Sequence, residues 1–155
     1  RSAICAAERL SALNSEITIR TYPIRLTEEN VQEIISQYDI VVDGCDNFST
    51  RYLINDICAE MGKVYVYGAI CGFEGQVSVF HYGEEKKSYR DLYPDEEEMR
   101  RMPPPPKGVM GITPAVTGSI EATEVLKIIC GFGEVLSGKL WTIDLRTLQS
   151  NKFSL

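Results

Sequence analysis

The stretch Asp39-Ile40-Val41-Val42-Asp43-Gly44-Cys45-Asp46-Asn47 decides the fold, because its apolar run reads as a short strand buried on both faces that stops in a turn. Such a strand belongs to a sheet covered by helices. Downstream, Leu53, Ile54, Ile57, Cys58 and Met61 recur at helical spacing, Gly62 ends that helix, and Lys63-Val64-Tyr65-Val66-Tyr67 follows as the next buried strand. Upstream, Thr27 caps a helix that carries Glu28 and Glu29 at its positive end and Val31, Ile34 and Ile35 on its apolar side. Before it, Glu16-Ile17-Thr18-Ile19-Arg20 alternates as a strand. Ser2 to Leu13 places Ile4, Ala7, Leu10 and Leu13 on one face of a helix closed by Asn14.

The order α-β-α-β-α-β implies right-handed crossovers and a Rossmann-like, three-layer α/β sheet, partly parallel. Gly75 to Phe80 adds an alternating strand. The segment at about 84–107 then changes character: Asp95-Glu96-Glu97-Glu98 precedes Pro103-Pro104-Pro105-Pro106, which predicts a solvated lid or connector, with an SH3-type ligand as the alternative. Ile112 to Ile129 reads as a long helix closed by Gly131, with Val116, Ala122, Leu126 and Ile129 on one side and Glu121, Glu124 and Lys127 on the other. Lys139 to Leu145 and Ser150 to Leu155 read as two strands, antiparallel because the link is too short for a crossover. The whole, residues 1–155, reads as one domain.

At 155 residues the chain can bury about 69% of its unfolded surface, enough for a sizeable core. Sixteen Lys plus Arg against 22 Asp plus Glu give a net charge of −6 and a pI near 4.9, which disfavours nucleic acid or an anionic membrane as partner. No apolar run approaches a membrane span and no signal peptide opens the sequence, so a cytoplasmic location is expected. The five cysteines, Cys5, Cys45, Cys58, Cys71 and Cys130, form no C-x-x-C pair and read as buried small hydrophobes in a reducing compartment. With His81 the only histidine, a zinc site or a Cys-His or Ser-His-Asp triad is disfavoured; His81 itself reads as an ordinary strand-end residue.

Ligands of open α/β sheets bind beyond the carboxyl ends of the strands, here Asp43-Gly44-Cys45-Asp46-Asn47. Asp46 as a carboxylate for Mg²⁺, Asn47 as an amide for a nucleotide and Arg51 as a guanidinium for an anion converge within one helical turn. The plain alternative is that Asp46 or Asn47 only caps the helix. No G-x-G-x-x-G or Walker A loop occurs in the chain.

Asp43-Gly44-Cys45-Asp46-Asn47-Phe48-Ser49-Thr50-Arg51, Gly68-Ala69-Ile70 with Gly75-Gln76-Val77, Gly108-Val109-Met110-Gly111-Ile112-Thr113-Pro114 and Gly118-Ser119-Ile120-Glu121-Ala122 resemble the ThiF/MoeB/HesA family, bacterial relatives of ubiquitin-activating enzymes. The D-x-x-D-N-x-x-x-R element carries the resemblance, which spans nearly the whole chain. It implies an ATP-dependent adenylyltransferase that activates the Gly-Gly carboxylate of a ubiquitin-like sulfur carrier, for thiamine, molybdenum cofactor or related sulfur chemistry, and that acts as a homodimer. By position, Asp46 would coordinate Mg²⁺ at the phosphates, Asn47 would hold the nucleotide and Arg51 would guide the carrier's tail to the α-phosphate. The lid, with Lys86, Lys87 and Arg90, is the expected carrier contact.

The sequence also departs from the family. Its glycine-rich phosphate loop, ribose-binding acid and arginine fall upstream of Arg1, so the fold is expected to be the C-terminal portion of an enzyme of roughly 250 residues, inactive alone. The family's phosphate-contacting lysine falls near Ser2, beside Arg1. Ser88-Tyr89-Arg90-Asp91 stands where relatives carry their first zinc C-x-x-C, so zinc is expected to be absent. The thioester or persulfide cysteine of some members falls in the Pro103 to Pro106 run. Alternatives are a non-catalytic carrier-binding or dimerisation module, one half of a split enzyme, and, from the sheet type alone, a nicotinamide-dependent dehydrogenase fragment.

Overall fold

The structure, a computed structural model, describes residues 2–105 and 108–155. Helix α1 (Ser2–Leu13) comes first, then α2 (Val31–Ile35), β1 (Ile40–Val42), α3 (Phe48–Met61), β2 (Val64–Cys71) and β3 (Glu74–Phe80). Two short helices, α4 (Tyr89–Leu92) and α5 (Glu96–Arg101), precede the long α6 (Ile112–Cys130) and the hairpin β4 (Lys139–Asp144) and β5 (Gln149–Ser154). The five strands form one sheet in the order β1-β2-β3-β4-β5. β1 and β2 are parallel and the remaining pairs antiparallel, so the Rossmann-like, partly parallel sheet with antiparallel C-terminal strands is present.

Two cores flank this sheet. On one face Tyr65, Tyr67 and Phe80 pack with Val31, Ile35, Tyr52, Ile54 and Cys58 from α2 and α3. On the other, Val66, Val77 and Val79 meet Ile120, Val125 and Ile128 of α6. Gly62, at φ 65°, stops α3 in the left-handed conformation that glycine adopts without steric cost.

Several expectations are corrected. Glu16 to Arg20 is not a strand: the sheet begins at β1, and without a neighbour to complete its hydrogen bonds an alternating pattern stays irregular, with Ile17 exposed. The lid is more than a loop. Ser88 and Asp91 form a capping box on α4, and Asp95 accepts from Glu98 N, so the acidic run is a helix cap and first turn. Pro103–Pro105 are exposed, while Pro106 and Lys107 lie outside the described residues.

The faces of α6 are the reverse of the expectation. Thr113, Thr117, Glu121 and Glu124 are buried against the sheet, and Ile112, Leu126 and Ile129 are exposed. Gly68 and Gly75 strip the sheet of side chains here, and the Glu121 carboxyl and Thr117 hydroxyl fill the space; a Cβ on either glycine would overlap them. Glu124 is satisfied by Lys127 and by Leu136 N, at 2.5 and 2.9 Å. The cysteine reading is likewise corrected: only Cys58 is buried, while Cys5, Cys71 and Cys130, on an open helix face and at two element ends, are exposed. His81 is the expected strand-end residue, with Nε2 3.1 Å from Asn55 Oδ1. No described helix is long and apolar enough to cross a membrane.

Candidate active site

The turn after β1 is built around Asp43. Its backbone N–H extends the β1–β2 ladder to Val66 O, and its side chain turns inward, where Oδ1 accepts Cys45 N at 2.7 Å and Oδ2 accepts Arg51 Nε at 3.0 Å. Arg51 also donates from Nη2 to Cys45 O at 2.6 Å, and its guanidinium stands 5.8 Å from the Tyr67 ring centroid. Both members of the Asp43–Arg51 pair are buried. In so dry a setting the carboxylate and the phenols hold the guanidinium firmly protonated against the cost of burial. Thus a fixed positive charge sits on the floor of the turn.

Asn47 is the N-cap of α3: its Oδ1 accepts from Thr50 N and from Ser49 Oγ, each at 2.9 Å. Asn47 therefore does cap the helix. Its Nδ2 remains a donor and reaches Asp46 Oδ1 at 3.1 Å. Asp46 is exposed, and among the described residues nothing else engages its carboxylate, which leaves Oδ2 open. Burial beside Asp43 pushes the Cys45 thiol up to about 12, so Cys45 is no nucleophile at neutral pH.

These groups open onto a cavity of about 1360 Å³ between the sheet and the segment that follows α5. Asp46, Asn47 and Arg51 all line it, with Tyr67, Gln76 and Tyr93. Gln76 donates from Nε2 to the hydroxyls of Tyr67 and Tyr93, at 2.6 and 3.1 Å, and ties β3 to the lid. Arg90, one of the lid residues expected to meet the carrier, is engaged by Asp56 and Glu96 at 2.6 and 3.0 Å.

Among the described residues no three His, Cys, Asp or Glu side chains cluster to hold a metal. A single exposed carboxylate suits Mg²⁺ that brings its own water and phosphate oxygens, so Asp46 fits that ion and no closed protein cage is required. The sequence places Asp46, Asn47 and Arg51 within one helical turn, and all three line this cavity; Asp43, the anchor of Arg51, was missed. β1, expected to be buried on both faces, is an edge strand with Val42 exposed, yet the Asp43 carboxylate that follows it is buried, and a buried carboxylate requires a cationic partner.

The sequence matches the ThiF family over residues 2–155. It is 46% identical over 154 residues to the sulfur carrier protein adenylyltransferase of Thermus thermophilus, covering 92% of this chain and 54% of that protein. It is 43% identical over 152 residues to a protein of Pyropia yezoensis named "Probable molybdopterin-synthase adenylyltransferase", covering 97% of this chain and 40% of that one. The chain thus spans about half the length of these relatives, or less. Among solved structures, MccB of E. coli with ATP superposes at a TM-score of 0.80 over 99% of this chain and 47% of its own, at 17% identity, a likeness of fold. A family match over residues 2–155, two relatives above 40% identity and the Asp46-Asn47-Arg51 turn in one cavity agree: this chain belongs to the ThiF family.

Proposed function

We propose that these residues form the substrate-activating part of an ATP-dependent adenylyltransferase whose substrate is the carboxyl-terminal Gly-Gly of a ubiquitin-like sulfur carrier. The observation that carries this reading is that Arg51, a cation fixed by Asp43, and the open carboxylate of Asp46 line one cavity. The names of the relatives supply the substrate class. In the reaction a carrier carboxylate oxygen attacks the α-phosphorus of ATP, an acyl-adenylate forms, and pyrophosphate leaves.

Attack of one anion on another needs charge neutralisation and positioning more than a general base. Arg51, locked by Asp43 and Cys45 O, presents its remaining N–H donors to the incoming carboxylate without reorganising. Asp46 would hold Mg²⁺, which supplies charge compensation at the phosphates. Asn47 orients the Asp46 carboxylate through Nδ2, whose second N–H would serve the nucleotide. A homodimer belongs to the same proposal, with the exposed Ile112, Leu126 and Ile129 of α6 in its interface.

Carrier-dependent ATP–pyrophosphate exchange by the full-length enzyme tests this. Asp46→Ala is expected to abolish exchange while carrier binding stays nearly intact. Intact exchange would remove Asp46 from the chemistry, and carrier binding without any exchange in the wild type would favour a non-catalytic carrier-binding module.

A further inference from the structure

Glu121 and Thr117 stand one turn apart on the buried face of α6, against Gly68 and Gly75. Glu121 Oε2 and Thr117 Oγ1 are both buried with no hydrogen-bond partner among the described residues. A carboxyl group so placed costs the fold stability that an apolar residue would not. What it faces is the site. The β1–β2 register, Val42 opposite Val66 and continued by Asp43 N–H to Val66 O, sets Gly68 beside the turn that holds Asp43 and Cys45, the two partners of Arg51. Glu121, lying on Gly68, is therefore behind that turn.

Its surroundings are otherwise uncharged. β2 presents Val66, Gly68 and Ile70 to α6, and β3 presents Gly75, Val77 and Val79, none of which titrates. On α6 itself, Glu124 is paired with Lys127. Among the described residues, Asp43 and Arg51 are the charges that act on Glu121. Burial and the Asp43 charge hold the Glu121 proton up to about 8, so near neutral pH the group is uncharged.

We propose that Glu121 is a positioning residue of the adenylation site that acts through Arg51: as the neutral acid it leaves Arg51 to the substrate carboxylate, and as the anion it competes for that cation. This rests on the adenylyltransferase reading and deepens it. With Glu121 neutral, Asp43 and Arg51 cancel, and the guanidinium N–H groups not taken by Asp43 and Cys45 O remain for a carboxylate. With Glu121 ionised, the three groups sum to one negative charge. An anionic substrate then approaches against that charge through protein, where screening by water is weak. A glutamine here keeps the shape and has no charge to gain.

The test is carrier-dependent ATP–pyrophosphate exchange by the full-length enzyme, with kcat and the carrier KM measured from about pH 6.5 to about 9.5, a span that brackets 8, for wild type and Glu121→Gln. Relative to the variant, the wild-type KM is expected to rise about tenfold across this range, the order of one unit charge acting across several ångströms of protein. The ratio of the two kcat values should stay constant. Carbon NMR of protein labelled at the glutamate carboxyls reads Glu121 directly, as the resonance that Glu121→Gln removes, and its midpoint should coincide with the rise in KM. Should Glu121→Gln fail to fold, Glu121→Met, equally uncharged, takes its place. One pH course of KM in both proteins, or a Glu121 resonance already ionised at the acid end of the range, would overturn the inference and leave the adenylyltransferase reading standing. A fall of wild-type kcat at constant KM would overturn it too, because ionised Glu121 would then only loosen the fold. No exchange by the wild type at any pH would overturn both.

Discussion

The backbone of Gly68 in β2 lies directly against the carboxyl group of Glu121 in α6, so closely that no side chain fits between them. The helix therefore meets the sheet through a polar residue, and one carboxyl oxygen, Oε2, is buried without a hydrogen-bond partner. Burial away from water, reinforced by the nearby Asp43 charge and only partly offset by Arg51, raises the Glu121 pKa from 4.5 to about 8.

Stability should consequently fall as pH rises. Between about 4.5 and 8 the unfolded chain releases the Glu121 proton while the folded chain keeps it, so the cost is absent below this window and complete above it. Glu121→Gln should match the wild type near pH 4 and exceed it at pH 8, by up to about 5 kcal/mol at roughly 1.4 kcal/mol per unit. Urea unfolding across this range measures the difference; equal stability at pH 8 would refute it.

Gly68→Ala should destabilise by about 1–3 kcal/mol through overpacking. The same change in a Glu121→Ala background should cost clearly less, because the group it strikes is gone. A double-mutant cycle of unfolding free energies reads this coupling, and additive values would contradict the apposition.

The buried Arg51–Asp43 pair carries a different expectation. Its members have side chains 9% and 0% exposed, so removing one strands the other as an uncompensated charge. Asp43→Ala should cost about 3–5 kcal/mol, and exchanging Arg51 for Met about as much. The Asp46→Ala variant should unfold like the wild type, since Asp46 is exposed and bonded only to Asn47. This contrast separates residues that build the turn from one that acts in it.

Thiol labelling of the native protein should be fast at the exposed Cys5, Cys71 and Cys130 and slow at Cys45 and Cys58, whose thiols burial raises to about 12. Mass spectrometry after brief alkylation reads the order, and rapid labelling of Cys58 would contradict its place in the core.

How much of this was legible in the sequence depended on the range of the deciding interaction. Val41, Gly44 and Gly62 announced β1, its turn and the end of α3 because their signals are local. Glu16 to Arg20 has a strand's alternation, yet strand formation depends on a neighbour that local pattern does not encode. For α6, periodicity placed Glu121 and Glu124 in water, whereas sheet glycines 46 or more positions away in the chain admit the polar face. At the site, Asp46, Asn47 and Arg51 stood together in sequence. Gln76, Tyr93 and Asn151 reach the same cavity only through pairing of distant strands and the fold of the lid.

Adenylation at the turn after β1 is what the proposed function asks of Asp46. Carrier-dependent ATP–pyrophosphate exchange by the full-length enzyme, measured for wild type and Asp46→Ala at equal carrier occupancy, tests it most directly. The account predicts exchange in the wild type and a loss of at least about 100-fold in the variant, the scale of removing one charge-stabilising group from a transition state. Exchange in Asp46→Ala within twofold of the wild type would contradict it.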